Sequence, residues 1–262
     1  MIRIEDYLGA PQQFFFTPDY LAGTPEANEI GNVKSNPGQG GGVKIDNVTS
    51  DPPPPLCFLS GTQLATPKGP IIVDDLQVGD RLVTGMGEDA PIKWISSSMH
   101  VWDQLPHKSK PVQISAGALG PQTPSEDLIV SPQHHILFRS PLCHQLFGEH
   151  EVLVPAKGLT GLPGVRAMSG KRSAEYYHVM TEEHEILIAH GVETESFYPG
   201  PTAVRMLNTG QRASLFAVVP ALRDDPENGY GPTARKRITR RQAEQLVDAI
   251  KARAKQKKAV VD

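Results

Sequence analysis

A chain of 262 residues with 39% hydrophobic residues is long enough for one medium domain with extensions. Two cysteines exclude a disulfide framework, the formal net charge of -3 selects no charged partner for the whole chain, and the longest apolar stretch, "ASLFAVVPAL", is too short and too proline-broken to span a bilayer. Gly and Pro, 24 of each, with few long periodic runs, favour a turn-rich all-β protein over a helical one.

Residues 1–56 read as a leader. "QQFFFTPDYL" gives way to "SNPGQGGGVKIDNVTSDPPPP", a flexible glycine tract followed by a proline run expected to be extended polyproline II. Most of the leader is therefore expected to be poorly ordered, with Phe14, Phe15 and Phe16 available to dock. "MIRIEDYLGA" has early acids and no apolar core, so no secretory signal peptide is expected, which leaves a cytoplasmic protein or one exported by a route that reads another signal.

Residues 57–200 carry β signals. "TPKG" (Thr66 to Gly69) fits a turn with Pro67 where its fixed φ is suited. "PIIVDDL", "RLVTG", "APIKWISS", "KPVQISAGAL", "EDLIVSPQHHILF", "HEVLVPAKGL" and "AEYYHVMTEEHEILIAHG" repeat short apolar runs between turn residues, with no internal repeat at a fixed period. Runs such as "EILIA" are continuous and predict burial on both faces. Asp74, Asp75 and Asp80 read as turn residues with solvated carboxylates.

Residues 201–262 form a C-terminal extension. "GPTARKRITRRQAEQLVDAIKARAKQKK" predicts a basic amphipathic helix, with Ala243, Leu246, Val247, Ile250 and Ala254 on one face and a capping box at Thr239 and Gln242. The helix is read as solvated and docking its narrow stripe on the domain. No aromatics are interleaved with its charges, which argues against nucleic acid as a partner.

The familiar enzyme motifs fail. "HEVLV" at His150 and "HEILI" at His184 start like a zinc-protease signature but place an aliphatic residue where the second histidine must sit, so no metal site is expected. "GQGGGVK" lacks phosphate-loop spacing, and no cofactor is implied. What remains is Cys57, directly behind Pro52 to Pro55, with Ser131 and the histidines 134, 135, 178, 184 and 190. Cysteine is the strongest nucleophile among neutral side chains near pH 7, and histidine moves the protons that acyl transfer needs. Spacing alone does not separate that pairing from a buried cysteine among strand histidines.

"CFLSGTQLATPKGPIIVDDLQVGDRLV" resembles the first block of the Hint superfamily, the self-processing module shared by hedgehog C-terminal domains and inteins. Leu76, Gly79 and Asp80 carry its Leu-x-x-Gly-Asp segment. "LIVSPQHHILF" resembles the second block, Thr-x-x-His, with Ser131 in the threonine position and His134 as the histidine. "YYHVMTEEHEILIAHGVETESFYPG" resembles the closing block, with His184 in its histidine position. It is most similar to the bacterial subfamily ending in Glu-Ser-Phe-x-Pro-Gly. The resemblance implies an all-β, flattened, horseshoe-like disc with Cys57 on its first strand. It also implies an N–S acyl shift that turns the Leu56–Cys57 peptide bond into a thioester and releases the leader, the substrate in cis. His134 would give a proton to the leaving nitrogen, Ser131 would hold His134, and His184 would act near the same site. The four prolines would hold the bond clear of the disc.

The chain departs from the pattern in three places. Tyr176, Tyr177 and His178 occupy the stretch where inteins often carry an aspartate, leaving activation of the thiol unassigned. His190 stands where the family usually has Asn before Gly191. Glu195 and Ser196 replace the terminal His-Asn of an intein, so cleavage is expected at the N-terminal side alone, with no splicing. The acceptor that resolves the thioester, whether water, an amine or an alcohol, is not named by the residues. Two alternatives stay open: a binding or structural protein that keeps the fold without processing, and a cysteine hydrolase acting in trans, which the position of Cys57 beside its own leader disfavours.

Overall fold

The computed structural model describes residues 2–5, 11–14, 56–102 and 109–261, with side chains for 56–102 and 109–256. The chain divides into two compact units, residues 1–51 and 52–262. In the first, strands β1 (Ile2–Glu5) and β2 (Pro11–Phe14) pair antiparallel, with Ile2 opposite Phe14. The glycine and proline tracts of the leader lie outside the described residues, as do Phe15 and Phe16.

The second unit opens with β3 (Phe58–Leu59), β4 (Gln63–Thr66), β5 (Gly69–Ile72), β6 (Arg81–Val83), β7 (Asp89–Pro91) and β8 (Trp94–Val101). There follow β9 (Val112–Ile114), β10 (Leu128–Val130), β11 (His135–Arg139), α1 (Pro141–Phe147), β12 (Glu151–Pro155), β13 (Val165–Ala167), β14 (Ser173–Met180), β15 (Ile186–Ala189) and β16 (Val192–Glu195). The C-terminal segment adds α2 (Pro201–Met206), α3 (Thr209–Val218) and α4 (Arg240–Val261). Both stretches that begin like a zinc-protease helix are strands, β12 and β15.

Two six-stranded sheets carry the fold, in the orders β13-β9-β10-β3-β14-β8 and β12-β11-β16-β15-β4-β5, and β6 pairs with β7. The expected all-β class is what the structure contains. The chain changes sheets between β3 and β4 at a tight turn, where Gly61 takes φ +86° and Asp74 accepts hydrogen bonds from Ser60 Oγ and Gly61 N at 2.6 and 2.7 Å. Asp74 is thus a turn anchor, held below its ordinary pKa by those bonds against the opposing effect of partial burial. β3 is short but central: β10 lies on one side of it and β14 on the other. That placement lets residues after β10 and on β14 converge on Cys57, the residue just before β3.

The turn between β15 and β16 consists of His190 (φ +47°) and Gly191 (φ +79°). Two left-handed residues are what a type I′ hairpin demands, and Asn-Gly is its favoured pair. Histidine in the first position is compensated by cross-links: Gln63 N donates to His190 Nε2 at 3.2 Å and His190 N donates to Gln63 O at 3.1 Å.

The helices outside α4 are not visible as hydrophobic periodicity, but α1 has ordinary end signals. Ser140 accepts from Leu142 N, Pro141 occupies the first turn, and Gly148 closes the helix at φ +74°. α4 carries the expected reciprocal cap, with Thr239 N donating to Gln242 Oε1 and Gln242 N to Thr239 Oγ1. Its apolar stripe is shorter than expected. Ala243, Leu246 and Val247 are buried in the main core and Ile250 packs against it, whereas Ala254 is exposed because the helix has run past the domain edge. Close docking needs Gly158, where a Cβ would lie 2.3 Å from Ala243 Cβ. Among the described residues no helix is long and apolar enough to cross a membrane.

Candidate active site

Cys57 is fully buried and Leu56 is 5% exposed. The Leu56–Cys57 bond is therefore not held clear of the domain. The physical reason is Leu56 itself, whose side chain joins an apolar cluster containing Trp94, Met180 and Phe197.

Strand register brings three groups to this peptide. Val130 pairs with Phe58, so the residue after β10, Ser131, lies beside Cys57. Cys57 N donates to Ser131 Oγ at 3.1 Å, and Ser131 N donates to Cys57 O at 3.0 Å. On the other side Tyr177 pairs with Phe58, which places His178 opposite Cys57. His178 Nδ1 is 3.3 Å from Cys57 Sγ and 3.1 Å from Leu56 O. One imidazole nitrogen thus faces both the thiol and the carbonyl it would attack. Trp94 stacks on the His178 ring at 5.9 Å and Phe197 packs at 5.1 Å, enclosing it in apolar surface.

Burial sets the charge state of this pair. It pushes the Cys57 thiol well above its ordinary pKa, with the Ser131 hydroxyl opposing only in part. It lowers His178 to about 4, against a smaller upward pull from the Leu56 carbonyl. At neutral pH both are uncharged, and a bare imidazole nitrogen is the form that takes a thiol proton.

His134 and His135 take different partners. His134 N donates to Ser131 O at 3.1 Å, so Ser131 ties down the backbone of His134 while its hydroxyl goes to the Cys57 amide. The His134 ring packs on Phe58 at 4.5 Å. Thr194 Oγ1 gives its proton to His135 O at 3.1 Å and must therefore accept from His134 Nε2. That fixes the His134 tautomer: Nε2 carries the proton, and Nδ1 is bare, buried and, among the described residues, without a hydrogen-bond partner. Burial lowers His134 to about 3, offset in part by Glu195.

The third candidate histidine belongs to a second cluster. His184 Nε2 lies 3.4 Å from Glu195 Oε2, Ala234 N donates to His184 Nδ1 at 2.9 Å, and Tyr198 packs on the ring at 5.2 Å. Glu195 is fully buried, takes His135 N at 2.9 Å and His135 Nδ1 at 2.6 Å, and has Arg237 Nε 3.5 Å from its other oxygen. Arg237 reaches it because residues 236–238 run beside β12, bonding to both backbone groups of Leu153 at 2.9 and 3.0 Å. Burial would raise Glu195, but His135, His184 and Arg237 together draw it well below its ordinary value.

His178 is the residue sequence reasoning left without a role. A period of two along β14 was the available signal, since His178 and Tyr176 share one face of a strand that must pair beside Cys57. Among the described residues neither Cys57 nor Cys143 forms a disulfide, and both are buried. Among the described residues no group of three His, Cys, Asp or Glu is arranged to hold a metal ion.

A Hint-domain family model matches residues 56–201. The chain belongs to the Hint family. Hint domains perform self-processing chemistry in cis on their flanking sequence. This Hint domain is also similar to solved inteins: the bacterial intein-like domain from Clostridium thermocellum at 10% identity and a TM-score of 0.38, over 55% of this chain and 99% of that one. The Msm DnaB1 intein splicing domain bound with zinc shares 14% identity at a TM-score of 0.33, over 52% of this chain and 98% of its own. The gp41-1 intein shares 15% at 0.32, over 53% and 96%. No curated protein matches.

Proposed function

We propose that this Hint domain cleaves its own Leu56–Cys57 bond by an N–S acyl shift, releasing residues 1–56 without splicing. The observation that carries the reading is the arrangement around one peptide unit: its N–H donates to Ser131 Oγ, and His178 Nδ1 lies 3.1 Å from its carbonyl oxygen and 3.3 Å from the thiol, so that with the imidazole proton on Nε2 this nitrogen is bare toward the thiol.

The steps follow from that arrangement. Bare His178 Nδ1 takes the Cys57 S–H proton. Sulfur attacks the Leu56 carbonyl carbon, and the protonated Nδ1, already 3.1 Å from Leu56 O, then donates to the oxyanion, a hydrogen bond that strengthens as charge develops. The leaving nitrogen needs a proton before the C–N bond breaks. We assign that transfer to His134, whose bare Nδ1 takes up the proton that His178 removed from sulfur and passes it to the nitrogen, and to Ser131, already in contact with the nitrogen, so that both imidazoles end neutral. One C–S bond forms, one C–N bond breaks, and the net movement is one proton from sulfur to nitrogen. A second nucleophile then resolves the thioester. His184 is assigned to holding Glu195.

On the C-terminal side, Ser196 Oγ accepts from Glu185 N at 3.0 Å, and no side-chain amide stands at the position where an intein cyclises its asparagine. Asn208, the next asparagine, is engaged in a reciprocal cap with Gln211. The test is intact-mass analysis of purified full-length protein treated with a small thiol or hydroxylamine. Fragments ending at Leu56 and starting at Cys57, absent from Cys57→Ala, are expected. An uncut wild-type chain would overturn the reading in favour of a non-processing Hint protein.

A further inference from the structure

The bond proposed to be cut has a side chain on its acyl side, and that side chain is buried in a place of its own. Leu56 packs in one apolar cluster with Trp94 and with Val204, Leu207, Leu215 and Leu222. The last four come from α2 and the residue that caps it, Leu207, from α3, and from the short 3-10 turn that follows (Pro220–Arg223). All four lie beyond residue 201, where the match to the Hint family model ends. The cluster around Leu56 is therefore completed by the C-terminal extension, beside Trp94, Met180 and Phe197 of the Hint domain.

The extension is fastened where it does this. Gln211 Nε2 donates to Ser96 Oγ at 3.1 Å and to Ser97 O at 3.3 Å on β8. Trp94 Nε1 donates to Ser214 Oγ at 2.9 Å, and the same indole stacks on His178. One helix, α3, thus contributes Leu215 to the Leu56 cluster and braces the ring behind the residue that faces the thiol.

We propose that residues 201–222 form an acyl-side subsite that accepts an unbranched or branched aliphatic side chain at position 56 and so decides which leader this domain releases. The proposal rests on the reading that Leu56–Cys57 is the scissile bond. Its physical basis is proximity: attack requires the carbonyl carbon within near-contact of sulfur, and a filled apolar pocket holds the acyl group there. Removing methylenes from such a pocket typically costs 10- to 200-fold in rate.

The experiment measures first-order release of the leader from the full-length chain under a small thiol, with thermal melts of each variant made in a Cys57→Ala background to verify folding. Leu56→Met should release within about threefold of wild type, and Leu56→Ala about tenfold or more slowly. Leu56→Phe should be slow, and adding Leu215→Ala should restore part of its rate by opening the wall. That double variant guards against loss by misfolding, because a folding defect would worsen on a second core truncation. Wild-type rates for Leu56→Ala, or equal rates for Leu56→Phe with and without Leu215→Ala, would overturn the subsite and leave the cleavage reading intact. Failure of the wild-type chain to release its leader would overturn both.

Discussion

Two buried histidine clusters lie in this domain, one beside β3 and β14 of the first sheet and one on β11 and β16 of the second, and they solve burial in opposite ways. Around Cys57 the partners are neutral: a hydroxyl, a carbonyl, aromatic rings and a thiol. With nothing charged to compensate a proton, His178 is held down to about 4. Around Glu195 the partners are polar and include one cation, with His135, His184 and Arg237 converging on one carboxylate. The first cluster keeps both its thiol and its imidazole uncharged, the starting state that the proposed proton transfer requires. The second is closed on itself, and opening it leaves a buried charge uncompensated. Glu195 Oε1 is hydrogen-bonded to His135, whereas Oε2, His184 Nε2 and Arg237 Nε approach one another at 3.4 and 3.5 Å without a hydrogen bond among the described residues.

The largest expected effect is at Cys57. Cys57→Ala should abolish leader release under thiol, whereas Glu195→Gln should change the release rate less than tenfold at a temperature well below its melting point. Equal residual cleavage in the alanine variant, read by intact mass, would mean that a contaminating protease cut the chain. His178 comes next. His178→Phe keeps the aromatic packing against Trp94 and Phe197 but removes the proton acceptor, so release should slow by about 10²- to 10⁴-fold with circular dichroism unchanged. His134→Ala should also slow it severely, while His135→Ala should act mainly on stability. A reversed ranking of 134 and 135 would remove His134 from the reaction.

The second cluster should answer in stability. Glu195→Gln strands Arg237 and two histidines, a loss of about 3–5 kcal/mol, or roughly 6–20 °C in Tm for a domain of this size. A Tm within 2 °C of wild type, by calorimetry, would break the comparison.

The smallest effect is on pH. His134 and His178 have folded pKa values of about 3 and about 4, below their ordinary value near 6.5. The unfolded chain therefore binds more protons as pH falls through 6.5, and stability present above that pH is lost toward acid. Each histidine should cost on the order of 2 kcal/mol between pH 6.5 and pH 5. Urea melts of the Cys57→Ala protein at pH 7, 6 and 5 should show the decline, and His178→Phe should flatten it. Melts that do not change over this range would mean these rings are not buried neutral.

The elements legible from residues alone were those with a local cause. Alternating turn residues and apolar runs specified strands, and Thr239, Gln242 and the apolar spacing after them specified α4, because turns, caps and helix faces depend on neighbours a few positions away. The motif blocks likewise put Cys57, Ser131 and His134 in one family pattern. Tertiary structure decided what those residues touch. His178 stands 121 positions from Cys57 and meets it only because β14 pairs with β3 in one particular register. Arg237 meets Glu195 only because a segment near the C-terminus runs beside β12, and Leu56 is walled by helices 148 to 166 positions downstream only because α3 docks on β8. No local propensity encodes those distances. Long-range sheet pairing and the burial of scattered apolar side chains set them, and with them which histidine faces the thiol.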